Sequence, residues 1–199
     1  MAKNEREYRS LNLELRDGSG EGEEYIVTGY ASTFEPYVVC ECDGIEFKEQ
    51  IDRNAFKNTD LTDVVFRVDH DGKVYARTSA GTVKIEIDNH GLRIKADLSK
   101  TASARELYEE IKAGNYNKMS FAFVVEEDSY NESERLRVIR KIKKLYDVSP
   151  VSFPANPGTE LSARSFFDGV IKKEKAERLF SERKDKLKKS ILKEMIKGE

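Results

Sequence analysis

Apolar residues recur at every second position through much of the first hundred residues, the period of a strand with one buried face. Residues 7–15 place Leu11, Leu13 and Leu15 on one parity. A Gly-rich turn at 17–22 and a second strand at 25–31 follow, with another candidate at 44–51. Residues 64–70 alternate, with Val64, Phe66, Val68 and His70 sharing one face against Arg67 and Asp69. Residues 82–98 read as a hairpin: Val83, Ile85 and Ile87 alternate, Asp88-Asn89-His90-Gly91 turns, and Leu92, Ile94 and Ala96 alternate back. Residues 52–56 could open a short helix with Asp52 as its cap.

The period changes at residues 102–113, where Leu107 and Ile111 stand four apart and Gly114 follows as a stop. Residues 119–125 form a strongly apolar strand, 126–134 an acidic loop, and 136–148 a long strand with Leu136, Val138, Ile142, Tyr146 and Val148 on one parity. Pro150, Pro154 and Pro157 then enforce an irregular extended stretch. From about Ser165 the pattern becomes a charged, proline-free helix. The fold class is therefore mainly β with helices (α+β). A small barrel is expected rather than a doubly wound sheet, because closure removes exposed strand edges.

Charge refines the division of the chain. The 199 residues carry a formal net charge of −2, which argues for no nucleic-acid partner. Residues 172–199 nevertheless hold eleven Lys/Arg against six Asp/Glu, so the rest is acidic. Residues 1–165 are read as the body and 166–199 as a basic amphipathic helical tail, with Ala176, Leu179, Phe180, Leu187, Ile191 and Met195 near one stripe. No apolar core of a signal peptide follows Met1 and no apolar run reaches membrane-spanning length, so a soluble cytosolic chain with no membrane partner is expected. Cys40 and Cys42 are too close along an extended segment to bond each other well, and are expected as thiols.

The candidate chemistry is narrow. A serine hydroxyl needs an imidazole to accept its proton, and the imidazole needs a third group to fix its tautomer. The chain has two imidazoles. His90 belongs to a turn. His70 ends an apolar strand on its inward parity, before Asp71-Gly72, where catalytic groups are often displayed; spacing alone favours a structural or surface role. Ser120 sits inside the apolar run Met119-Ser120-Phe121-Ala122-Phe123, sharing a face with Ala122 and Val124. It could be a nucleophile beside small neighbours, or a buried serine bonded to a carbonyl. Two histidines and no His-Glu-x-x-His motif leave a metal hydrolase poorly supported, and no metal or cofactor is expected.

Three segments resemble one family in order and spacing across roughly residues 8–165. Val65-Phe66-Arg67-Val68-Asp69-His70 with Arg77-Thr78-Ser79-Ala80-Gly81-Thr82 resembles the histidine region of tailed-phage prohead proteases. Lys118-Met119-Ser120-Phe121-Ala122-Phe123 resembles their nucleophile strand, usually Met-Ser-Phe-Gly-Phe, and the stretch from Leu145 to Pro157 resembles their third motif. Ala122 departs from a common glycine, Asp147 from a frequent glutamate, and Arg67-Val68-Asp69-His70 from the usual Asn-His pairing. The family is similar in fold to herpesvirus assemblins, which implies a seven-stranded closed barrel ringed by helices. The resemblance implies His70 as base, Ser120 as nucleophile and Asp147 as orienting acid. Backbone N–H groups of Ala155 or Asn156 are the oxyanion candidates in a loop where Pro154 and Pro157 have none.

The function so implied is a serine endopeptidase working in the host cytoplasm, inside the assembling prohead. Its substrates would be the scaffold, the scaffold-like part of the major capsid protein, and itself, and it could form a homo-oligomer as assemblins do. The alternative is a non-catalytic capsid-assembly or scaffold protein that retains the barrel, which would not need Ser120.

Overall fold

The computed structural model describes residues 6–11, 16–17, 24–152 and 161–197, with side chains placed at 6–10, 24–152 and 166–191. In chain order the elements are β1 (Arg6–Leu11), β2 (Arg16–Asp17), β3 (Ile26–Thr33), β4 (Tyr37–Cys42), β5 (Ile45–Ile51), β6 (Val65–Arg67), β7 (Val74–Arg77), β8 (Val83–Ile87), β9 (Gly91–Asp97), α1 (Ala102–Lys112), β10 (Lys118–Asn131), β11 (Leu136–Val151) and α2 (Leu161–Lys197). The fold is mixed α+β, mostly strands with two helices.

The strands pair as two sheets. The larger runs β1-β10-β11-β5-β4, with the β6–β7 hairpin joined to β11 through β6; the smaller runs β2-β3-β9-β8. Among the described residues no pairing closes either sheet on itself, so the expected closed barrel is replaced by two sheets around a shared core. Alternation identifies strands but not which edges meet, and that pairing decides closure. Val27 and Ala31 of β3 and Leu92, Ile94 and Ala96 of β9 pack into the same core cluster as Phe66, Met119, Phe121, Phe123, Ile139 and Val148. α1 adds Ala104, Leu107, Tyr108 and Ile111 to that core. Its N-terminus is capped by Thr101, whose hydroxyl accepts from Ala104 N, and Gly114 follows at φ 87°.

Several expected elements differ in detail. The acidic stretch 126–134 is mostly strand: β10 continues through Asn131, and only residues 132–134 lie in the turn to β11. Its carboxylates are stabilised as strand residues by cations across the pair, Glu127 by Lys141 and Asp128 by Arg137. The single parity read for residues 136–148 breaks. The buried residues are Arg137, Ile139, Ile142, Leu145, Asp147 and Val148, because register shifts at Ala122/Phe123 and Val124/Val125 bulge the pair. Residues 52–56 make successive turns rather than a helix, with Asp52 accepting from Asn54 N at 2.8 Å. Leu13 and Leu15, and the turn at 18–22, lie outside the described residues.

α2 rests on the body only near its start. Phe167 is buried with Val39 and Phe47, and Phe166, Val170 and Ile171 pack on the same cluster. Lys173–Glu132, Arg135–Glu174 and Lys175–Asp43 pair it to the β10–β11 and β4–β5 turns. Leu179, Phe180, Leu187 and Ile191 are all exposed. No helix among the described residues is long and apolar enough to cross a membrane. Cys40 and Cys42 are not joined by a disulfide.

Candidate active site

The site forms where three strands run side by side. β10 lies between β1 and β11, and its register sets Ser120 opposite Ser10 on one side and Ser149 on the other. Alternation puts Ser120 and Ala122 on one face of β10, with Tyr8 and Asp147 opposite Ala122. β6 pairs in parallel with β11, Val65 beside Asp147 and Phe66 beside Val148. That pairing delivers the chain just before His70 to the carboxylate.

His70 itself does not continue the strand alternation expected for it. β6 ends at Arg67, and the backbone then turns left-handed at Asp69 (φ 48°) and His70 (φ 60°). Such conformations cost a side-chain-bearing residue about 1–3 kcal/mol and cluster at functional sites. The turn carries the ring back over the sheet. His70 Nε2 lies 2.6 Å from Ser120 Oγ, and Nδ1 lies 2.5 Å from Asp147 Oδ1. Tyr8 packs edge-on against the imidazole with ring centroids 4.8 Å apart.

Asp147 is fully buried and fully engaged. Its Oδ1 also accepts from Ser149 Oγ at 2.8 Å, and the Arg67 guanidinium stands 3.4 Å from Oδ2. With Asp147 ionised, the ring proton belongs on Nδ1 and the Nε2 lone pair faces the serine. Ser120 is buried too, and its hydroxyl has a second acceptor, the Arg9 carbonyl at 2.7 Å. One hydroxyl proton therefore serves two acceptors. It can pass to Nε2, or rest on Arg9 O while a protonated ring donates to Oγ.

The sequence-derived candidates His70, Ser120 and Asp147 thus come together, although 50 and 77 positions separate His70 from its partners. Ser120 also meets the plainer expectation of a buried serine on a carbonyl. Ala155 and Asn156 lie outside the described residues. His90 is exposed in its turn against Tyr30, ring centroids 4.5 Å apart. Sequence reasoning missed Tyr8, Arg67 and Ser149. Ser149 had a signal, since it shares the parity of Asp147 two residues on.

It also missed a buried ionic cluster on the opposite parity of β1. Arg9 and Glu49 are fully buried and joined by two bonds, Nε to Oε1 at 2.5 Å and Nη2 to Oε2 at 2.8 Å. Arg137 adds bonds to Glu49 and Glu7 at 2.9 Å each and to Asp128 at 2.6 Å, and Arg9 also pairs with Glu7. Burial pushes the Glu7 carboxyl up, but Arg9 and Arg137 more than offset this and hold it below its ordinary value. Burial disfavours charge on Arg9, yet Glu49 raises its pKa well above the usual value. Glu49 gave a signal: it occupies the buried parity of Ile45, Phe47 and Ile51.

A hydroxyl, an imidazole and a buried carboxylate in line on a sheet are the arrangement of serine hydrolases. Comparison with known proteins narrows this. The family model described as caudovirus prohead serine protease matches residues 10–171, and the chain belongs to that family. The prohead protease of Enterobacteria phage HK97 is 26% identical over 153 residues, covering 76% of this chain. The match spans 65% of that relative's own length, just under two thirds. No solved structure matches significantly.

Proposed function

We propose that this chain is a serine endopeptidase of phage prohead maturation, with Ser120 as nucleophile, His70 as general base and Asp147 as the acid that orients and stabilises the imidazole. The observation that carries the reading is the continuous line from Ser120 Oγ through His70 to Asp147, with contacts of 2.6 and 2.5 Å. Nε2 removes the hydroxyl proton as Oγ attacks the scissile carbonyl. The imidazolium then donates that proton to the leaving amine, leaving an acyl-enzyme. A water enters, gives its proton to Nε2 and attacks the ester, and the imidazolium returns that proton to Ser120 Oγ as it departs. Asp147 keeps its charge throughout, with Ser149 and Arg67 holding the carboxylate in place.

The substrates are the scaffold, the scaffold-like segment of the capsid protein, and the protease itself. Oxyanion donation falls to the N–H groups of Ala155 and Asn156. Residues 166–199 act as a tail that recruits the enzyme to acidic or helical scaffold, through its basic residues and the exposed Leu179, Phe180, Leu187 and Ile191. The test is the mass of the purified chain, alone and with scaffold protein, over time. Fragments that form with wild type and vanish with Ser120→Ala support the reading. Unchanged fragments in that variant overturn it. Equal incorporation into particles of full-length and tail-truncated chains, both carrying Ser120→Ala, removes the recruiting role.

A further inference from the structure

The left-handed turn at Asp69 and His70 needs something to hold it, because a non-glycine pair relaxes out of that conformation unless its surroundings fix it. Gly72 follows at φ 66°, and Asp71 N donates to Val68 O at 3.0 Å, closing the turn locally. The rest of the restraint comes from Asp69. Its N–H donates to Pro150 O at 3.1 Å. Its carboxylate spans Ser152, Oδ1 accepting from the backbone N at 2.9 Å and Oδ2 from the hydroxyl at 2.7 Å. Three bonds thus tie the residue before His70 to the end of β11, the strand that carries Asp147 and Ser149.

We infer that Asp69 is a positioning residue, a latch that fixes the strained backbone and so aims the His70 ring; the inference rests on the function proposed above. Both carboxylate oxygens of Asp69 are committed to Ser152, so it acts through backbone and not on the ring. The ring has little tolerance, since its two nitrogens must meet Oγ and Oδ1 together. A small rotation of the 69–70 peptide moves both nitrogens at once. Asparagine accepts left-handed backbone and offers one acceptor and one donor to Ser152, so it preserves the latch without the charge. Glycine relieves the strain but removes the latch.

Two readouts test this. In the Ser120→Ala chain, which cannot digest itself, proton NMR follows the low-field resonance of His70 Nδ1–H on Asp147. In the active chain, intact mass follows phosphorylation of Ser120 by diisopropyl fluorophosphate, which needs no peptide substrate. Asp69→Asn is expected to keep the resonance and to react within about threefold of wild type. Asp69→Ala and Asp69→Gly are expected to lose the resonance and react about 10- to 100-fold more slowly, the scale of a small misplacement of a reacting group. Asp69→Gly covers the case in which the alanine variant fails to fold. A glycine variant that keeps both the resonance and the rate overturns the latch. So does an asparagine variant as impaired as alanine, which would make the charge the active property. A wild-type chain whose serine does not react, while the resonance follows the stated pattern, sinks the protease reading and leaves the positioning role standing.

Discussion

The two buried polar assemblies meet at β1, yet they are balanced in opposite ways. On one parity Arg9 and Arg137 face Glu7, Glu49 and Asp128, and each guanidinium is met by carboxylates. On the other, Ser120 has one proton for two acceptors, and the only histidine nearby bridges hydroxyl and carboxylate. The first assembly is saturated and has no reason to change. The second is one proton short, and a chemical step resolves it. Burial of polar groups therefore does not by itself mark a site; the unfilled hydrogen-bonding capacity does.

Removing the reacting groups should give the largest effect. Ser120→Ala and His70→Ala are each expected to lower cleavage by about 10⁴- to 10⁶-fold, with little further loss in the double variant, because the groups act as a unit. Progress curves on scaffold protein check this, and wild-type rates in either variant break the assignment. Asp147→Asn is expected to cost about 10³- to 10⁴-fold, less than loss of Ser120, since asparagine holds the ring but favours the wrong tautomer. A fully active, folded Asp147→Asn chain would move the third role elsewhere.

The saturated side should respond in stability instead. Glu49→Ala leaves two buried guanidiniums without one of the two carboxylates they share and is expected to cost about 3–5 kcal/mol by denaturant titration. Its cleavage rate per folded molecule should stay within about threefold of wild type. A larger fall would show that Arg9, whose side chain joins the cluster and whose carbonyl meets Ser120, couples the two assemblies.

Acid should separate them further. Glu7 is held below its ordinary value when folded, so its contribution to stability is complete above the unfolded carboxyl's range, near pH 4.5. That contribution is lost as pH falls through the depressed folded value. Melting temperature should drop between about pH 5 and pH 3, and Glu7→Gln should flatten the drop. Cleavage has its own acid dependence, because the base must be neutral to accept the serine proton. The smallest effect expected is from ending the chain after Arg178, which leaves Phe166, Phe167, Val170 and Ile171 seated. A change of less than about 2 °C in melting temperature is expected, whereas a cut before Phe166 uncovers Val39 and Phe47 and should lower it clearly.

How legible this was depended on the kind of constraint. Rare residue types in apolar company marked His70 and Ser120 as candidates, and resemblance supplied their roles and Asp147. The turn that aims His70 was invisible, because a left-handed backbone at Asp-His has no periodic signature. Bulges in β10–β11 shifted the buried parity from Leu136 and Val138 to Arg137 and Ile139, which alternation cannot anticipate. The carboxylates after Val125 looked like a solvated loop until Lys141 and Arg137 faced them. β4 and β7 are short and mixed in character, and gave no pattern. Closure of the sheet depends on long-range pairing, which no local window contains.

The seam of the larger sheet also sets an order of events. Among the described residues β1 pairs only with β10, while β5 and β6 are joined to β10 only through β11. Strands made early in synthesis thus wait, some for more than a hundred residues, for one hairpin to complete them. Pairings of such long sequence separation are slow to form. Until residues 118–151 are inserted, His70 has neither its hydroxyl nor its carboxylate, and a nascent or partly folded chain carries no assembled nucleophile. On the proposed function, proteolytic competence therefore waits for that hairpin.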